Sequence, residues 1–176
     1  MRVVRTGLVY RGSKPVMWSP VERTSLAEAE VEYQEKTSPT IWVKFPINGV
    51  SAVGDQELAI WQQASVVIWT TTPWTIPGNR AISYNPAIPY GLYRVDELEQ
   101  NLQFAPWAGV GELLVLADAR AEDVFKAAKV SKWTRLRSAD PGQFDFCEHP
   151  LLRWAEEKKL TALPFLTDKR LKGALR

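Results

Sequence analysis

The run Ser65-Val66-Val67-Ile68-Trp69 is almost wholly apolar, and it stops at once in Thr70-Thr71-Thr72-Pro73-Trp74-Thr75-Ile76-Pro77-Gly78-Asn79-Arg80. An apolar run without alternation predicts a strand buried on both faces. Such a strand needs apolar material above and below it. The two prolines then end the sheet, because proline cannot donate to a ladder. With 176 residues, 45% of them hydrophobic, the chain can supply one domain with a real core.

Other segments have the same kind of punctuation. "LVYRGSKPVMWSP" predicts a short strand, a Gly-Ser turn and a second strand ended by Pro20. In "LAEAEVEY", Ala27, Ala29, Val31 and Tyr33 alternate with Glu28, Glu30 and Glu32, which favours a strand with a solvated acidic face. "TSPTIWVKFPI" predicts a strand with Ile41, Val43 and Phe45 on one side, and "NGV" a turn after it. "DQELAIWQQ" suits a short helical turn or loop, and "RAISYNP" and "IPYGLYRV" further strands.

A strand over residues 113–116 then leads into a helix, with Asp118 as its N-cap and Val124, Ala127 and Ala128 on one face. Lys129, Ser131 and Lys132 read as that helix's solvated end. "FDFCEH" is a late strand, "LLRWAEEKKL" a helix, and "DKRLKGALR" a basic, poorly patterned tail. The expected fold is α+β and β-rich, a β-barrel-like core with few helices. Residues 1–152 form the barrel region and residues 153–176 a divergent basic tail. The opening strand without a lead-in and the unpatterned end suggest a piece of something larger.

Composition excludes several functions. One Cys rules out an internal disulfide, and one Cys with one His argues against a His/Cys metal site. A Cys–His dyad could only be Cys147 with His149, which would share a strand face but have no orienting group nearby. No apolar run approaches the ~18 residues that span a bilayer, and the opening residues lack a signal peptide's apolar centre. The expectation is a cytoplasmic protein without membrane contact, metal or cofactor. A net charge of +2 gives no global polyanion signal but permits one RNA-binding face. The eight Trp suit packing, or stacking on nucleotides.

The threonine stretch itself has two readings. It could be a solvated turn at a strand end. Alternatively, Thr70, Thr71, Thr72 and Thr75, stiff side chains that both donate and accept, could hold polar groups of a ligand at little entropic cost. Asn79 adds an amide and Arg80 a phosphate-compatible fork.

"TTTPWTIPGNRAISYNP" resembles the threonine-rich motif of the editing domain of isoleucyl-tRNA synthetases, the insertion in the class I core called connective peptide 1. Thr72 and Trp74 point to the isoleucyl branch, since leucyl and valyl enzymes carry Arg and an acidic residue there. "GLVYRGSKPVMWSPVERTSLAEAEVEYQEKTSPTIWVKF", "LLVLADARAEDV" and Cys147-Glu148-His149-Pro150 are similar to other parts of the same domain, so the resemblance covers roughly residues 5–152.

The resemblance implies hydrolytic proofreading, a carboxylic ester hydrolase acting on tRNA(Ile) whose 3′ end carries valine. It implies that Thr70, Thr71 and Thr72 contact the terminal adenosine and the ester. Thr75 would form a steric wall, Asn79 would position the aminoacyl end or a water, Trp74 would shape the pocket and Arg80 would hold the acceptor end. The rest of a synthetase polypeptide would be a partner. The family's pattern continues with a Gly-Thr-Gly stretch, a His-x-Ala-Pro-x-His-Gly motif and an ammonium-binding Asp. None follows His149 here, and Asp168 has none of that motif around it. The expectations are therefore an editing hydrolase, complete or impaired, a non-catalytic module binding the tRNA 3′ end, or an inert synthetase fragment.

Overall fold

The computed structural model describes residues 5–7, 9–51, 54–159 and 171–173. The chain divides into two compact units, residues 1–38 and 39–176.

In the first unit, β1 (Trp18–Ser19) pairs antiparallel with β2 (Thr24–Ser25), Trp18 opposite Ser25. The expected strand before Trp18 does not form. Residues 10–17 are irregular, and Leu8 lies outside the described residues. The acidic strand does not form either. Glu28–Glu30 make a 3-10 turn, and the Glu30 carboxylate accepts the Ala27 N–H at 2.8 Å. That local bond satisfies a backbone donor that a strand would have needed. Glu28, Glu30 and Glu32 are exposed, as a solvated cluster should be.

The second unit is built on one sheet. Its elements are β3 (Ile41–Val50), α1 (Asp55–Trp61), β4 (Ala64–Thr70), β5 (Ala81–Ile82), β6 (Tyr90–Leu98), β7 (Leu113–Ala117), α2 (Ala121–Ala127), β8 (Val130–Ala139), β9 (Phe144–Cys147), α3 (Leu152–Glu157) and β10 (Leu171–Gly173). The spatial order is β5-β10-β9-β3-β4-β7-β6-β8. Two pairs are parallel, β4 with β7 and β10 with β5, and the others are antiparallel. The strand-rich α+β architecture is the one expected, but among the described residues the sheet stays open, with β5 and β8 at its edges.

Alternation along β6 and β7 divides the core between the two faces. Leu92 and Val115 join Phe45, Ile47 and Trp61 in one cluster, and Tyr93 and Leu114 join Val95 and Phe125 in the other. β4 packs against both, through Val66 and Ile68 on one side and Val67 on the other, but these three stay half-buried and Trp69 is 57% exposed, so the strand is less buried than its apolar run predicts. Phe125 of α2 stacks on Trp133 at 4.8 Å between ring centres, and Trp61 of α1 tilts against Phe144 at 5.2 Å.

Several local expectations are overturned by contacts distant in sequence. "NGV" is no turn. β3 continues through Gly49 to Val50 with register shifts against β9, and a Cβ on Gly49 would lie 2.4 Å from the Phe146 ring. Asp118 does not cap α2. It starts a 3-10 turn (Asp118–Arg120), and its carboxylate accepts the Tyr93 hydroxyl at 2.7 Å and the Arg135 guanidinium at 2.9 Å. The buried face of α2 is Ala121, Val124 and Phe125, with Ala127 exposed. Lys129 takes φ +58° and ends the helix, but Ser131 and Lys132 belong to β8, where Lys132 pairs with Glu97 at 3.2 Å. The poorly patterned tail contributes β10, seated between β5 and β9. Residues 160–170, Asp168 among them, lie outside the described residues.

Candidate functional site

The parallel ladder of β4 and β7 holds for three pairs, Ala64 with Leu113, Ser65 with Leu114 and Val66 with Val115, and then stops. Beyond it β4 keeps only β3 as neighbour, to Thr70 opposite Ile41, and β7 keeps only β6, to Ala117 opposite Tyr90. A cleft of about 790 Å³ opens there, walled by Val67 to Trp69 of β4, Val115 to Ala117 of β7, and Ile82, Tyr84, Tyr90 and Phe144 from the neighbouring strands and loops. The carboxyl ends of adjacent parallel strands are the usual place for ligand crevices in open sheets. A volume in the range of small-molecule sites, with mostly apolar walls, fits that pattern.

The threonine bend leaves β4 one residue past the last β4 wall residue, Trp69, and returns to the wall at Ile82. Pro73–Gly78 wind into a 3-10 helix, with Pro73 at its first position, where no N–H is needed. Thr71, Thr72, Trp74, Thr75 and Arg80 are exposed, Thr70 and Asn79 half-buried. The bend is thus not packed shut. None of the seven lines the cleft itself, whose polar and apolar wall residues sequence reading missed because the splay depends on pairings among distant strands.

Three of the hydroxyls are brought together. Thr70 Oγ1 lies 3.2 Å from Thr72 Oγ1, and Thr72 Oγ1 lies 3.4 Å from Thr75 Oγ1. Thr75 Oγ1 donates to its neighbour's carbonyl, Thr72 O, at 2.7 Å, and the Thr72 N–H donates to Thr70 Oγ1 at 3.1 Å. Thr71 and Trp74 stand outside this chain. The Asn79 backbone N–H donates to the Ile76 carbonyl at 3.0 Å. Arg80 makes no ion pair among the described residues. Trp74 is 67% exposed and Trp69 57%, against 3% for Trp61, so the tryptophans divide between packing and open surface.

The buried His149 has a role that residue types did not suggest. Its Nδ1 accepts the Leu151 N–H at 3.2 Å, so its Nε2 carries the proton and donates to the Ile76 carbonyl at 2.8 Å. It ties the middle of the bend to the segment after β9. Cys147 is buried too, and burial pushes its thiol up to about 12, far from a nucleophile's range. The Cys–His dyad is therefore not built. Near the cleft, hydrogen bonding by Arg135 holds the Asp118 carboxyl below its usual value, and burial with the Asp118 hydrogen bond raises the Tyr93 phenol. These three form a structural triad, Tyr93 from β6, Asp118 from the turn after β7 and Arg135 from β8. Among the described residues no three His, Cys, Asp or Glu side chains cluster to hold a metal ion, and no helix is long and apolar enough to cross a membrane.

A model of the family described as tRNA synthetases class I (I, L, M and V) matches residues 1–169. The chain is 57% identical over 141 residues to the isoleucine–tRNA ligase of Caulobacter vibrioides, covering 79% of this chain and 14% of that protein. It is 52% identical over 153 residues to the isoleucine–tRNA ligase of Bradyrhizobium diazoefficiens, covering 86% and 14%. The isoleucine–tRNA ligase of Ruegeria pomeroyi is 44% identical over 177 residues, covering 96% and 17%. The chain thus spans about a sixth or less of the length of these relatives and is homologous to one region of isoleucyl-tRNA synthetases. It belongs to the class I tRNA synthetase family of the isoleucyl, leucyl, methionyl and valyl enzymes.

Proposed function

We propose that this chain is the editing region of an isoleucyl-tRNA synthetase, acting in the cytoplasm on tRNA(Ile) mischarged with valine. The observation that carries the reading is the hydroxyl-lined bend, open to solvent and running directly out of the wall of an apolar cleft. The homology to isoleucine–tRNA ligases supports it, as does the resemblance of residues 70–86 to that family's threonine motif.

In this reading Thr70, Thr71 and Thr72 meet the terminal adenosine and the ester, and Asn79 orients the aminoacyl end or a water. Trp74 shapes the entrance, and Arg80, without an ion-pair partner among the described residues, holds a phosphate of the acceptor end. An aminoacyl ester is already activated, so hydrolysis needs chiefly a positioned water and no strong nucleophile. Thr75 is the size gate. One methylene separates isoleucine from valine and is worth only ~1–3 kcal/mol in a binding pocket, which is why a second, smaller sieve is useful. The editing region extends over residues 1–152, and the rest of a synthetase polypeptide is its partner.

The test is deacylation of valyl-tRNA(Ile) against isoleucyl-tRNA(Ile) by the full chain. Valine should be released and isoleucine spared, and Thr75→Ala should open the site to isoleucine. A second reading, binding of the tRNA 3′ end without turnover, is favoured by the position of the seven candidate residues on the exposed bend, none of them in the wall of the cleft. Retention of tRNA that weakens with salt, with valyl-tRNA left intact at high protein concentration, would select it. Neither binding nor release would leave the inert fragment.

A further inference from the structure

The connection between β6 and β7 is fastened at its two ends and almost nowhere between them. At the first end the Glu99 N–H donates to the Lys129 carbonyl at 2.8 Å, and Lys129 Nζ lies 3.6 Å from the Glu99 carboxylate. At the second end the Gly111 N–H donates to the Val95 carbonyl at 2.8 Å, and Glu112 pairs with Lys44 at 2.9 Å. Residues 100–108 make no hydrogen bond or ion pair with any described residue, so their backbone is left to water. Apolar contact alone holds them. Ala108 is 1% exposed, and Trp107 packs on the cluster that contains Val95 and Phe125, while Phe104 stands out at 83% exposure.

The holding contact has a defect. Trp107 Nε1 is buried beyond the reach of water and has no acceptor among the described residues. An indole nitrogen can only donate, and a buried donor left unpaired loses its hydration without replacement. Asn101 at φ +58° and Gly111 at φ +86° flank the segment. Both residue types enter and leave the left-handed region at little cost, which suits them to absorb a hinge motion.

We infer that residues 100–108 are a strap that swings off the sheet as one unit while the rest of the fold stays closed, with Trp107 as a pin whose unpaired N–H keeps the closed form only weakly favoured. Opening lifts Trp107 and Ala108 from the apolar side chains beneath and gives the indole N–H an acceptor. Any acceptor that reaches it, water or the carbonyl of another chain, favours the open form. The strap goes beyond the editing reading and does not depend on it.

The test reads opening and not turnover. Ala108→Cys in the full chain places a thiol under the strap, and the buried Cys147 of the same molecule is the reference. Ellman's reagent should label position 108 at least tenfold faster than Cys147, at a rate that low urea leaves unchanged, whereas labelling of Cys147 should rise with urea as global unfolding does. Replacing Trp107 by 3-benzothienylalanine, the same two rings with sulfur in place of N–H, should slow labelling at 108 about tenfold, because the closed form no longer holds an unpaired donor. Trp107→Ala should speed it at least tenfold, and both changes should leave Cys147 nearly unaffected. If Ala108→Cys does not fold, solvent exchange of the Trp107 indole proton in the unaltered chain, followed in 1H–15N spectra over the same urea range, reads the same opening. Labelling or exchange at the strap that tracks global unfolding, equal rates at 108 and 147, a benzothienyl variant that opens as readily as the natural residue, or no acceleration in Trp107→Ala would each overturn the inference.

Discussion

Residues 1–38 leave Tyr10, Trp18, Val21 and Tyr33 open to solvent and bury one side chain among those described, Ser19, whereas residues 39–176 close Phe45, Leu92 and Phe125 off completely. Apolar content does not explain the contrast, because both units are rich in it. Partnering does. Among the described residues the first unit has one two-residue ladder, and a strand that short offers no face on which side chains can stack. The second has an eight-stranded sheet with apolar clusters on both faces. The bend that carries the candidate site hangs on this second, well-buried body.

The largest expected effect breaks the contrast if it fails. Phe125→Ala should cost ~3–5 kcal/mol, as large-to-small changes in a closed core do, while Trp18→Ala should stay within about 0.5 kcal/mol. Urea denaturation of both variants measures the difference, and equal costs would mean that the first unit is buried after all. His149→Ala comes next. It leaves the Ile76 carbonyl without its side-chain donor, at a cost of ~1–3 kcal/mol, and should speed amide exchange at Asn79 while leaving residues 9–38 unchanged.

Gly49→Ala should cost a similar ~1–3 kcal/mol through overpacking against Phe146, and most of that penalty should vanish in a Phe146→Ala background. The smallest effect is electrostatic. Asp118 has a lowered pKa in the folded state, so its contribution is complete above about pH 5 and fades as pH falls through the lowered value. A half-exposed pair of this kind contributes at most ~1 kcal/mol. Asp118→Asn should remove that part of the acid sensitivity, as thermal melts between pH 5 and pH 2 would register.

Legibility in the sequence followed the same division. β4 could be read as a strand because its apolar run packs against both clusters, although it stays half-buried where it walls the cleft, and the end of the strand could be read because the prolines mark where the sheet must stop. Asp118 misled because its partners, Tyr93 and Arg135, lie 25 and 17 residues away and outcompete a local cap. Gly49 misled because glycine also serves close approach, here to an aromatic ring reached only through the β3–β9 pairing. "LAEAEVEY" misled because alternation predicts a strand only where a partner strand exists, and none pairs with it among the described residues. The cleft was illegible for a related reason, since it is the space left when two parallel strands part.

The proton that His149 gives to the Ile76 carbonyl makes the bend's shape a property of the folded whole. A synthetic peptide of residues 70–80 would carry every hydroxyl of the candidate site and yet lack its curvature. Graftings of this loop onto other scaffolds should fail unless an imidazole, or an equivalent donor, is supplied from beneath.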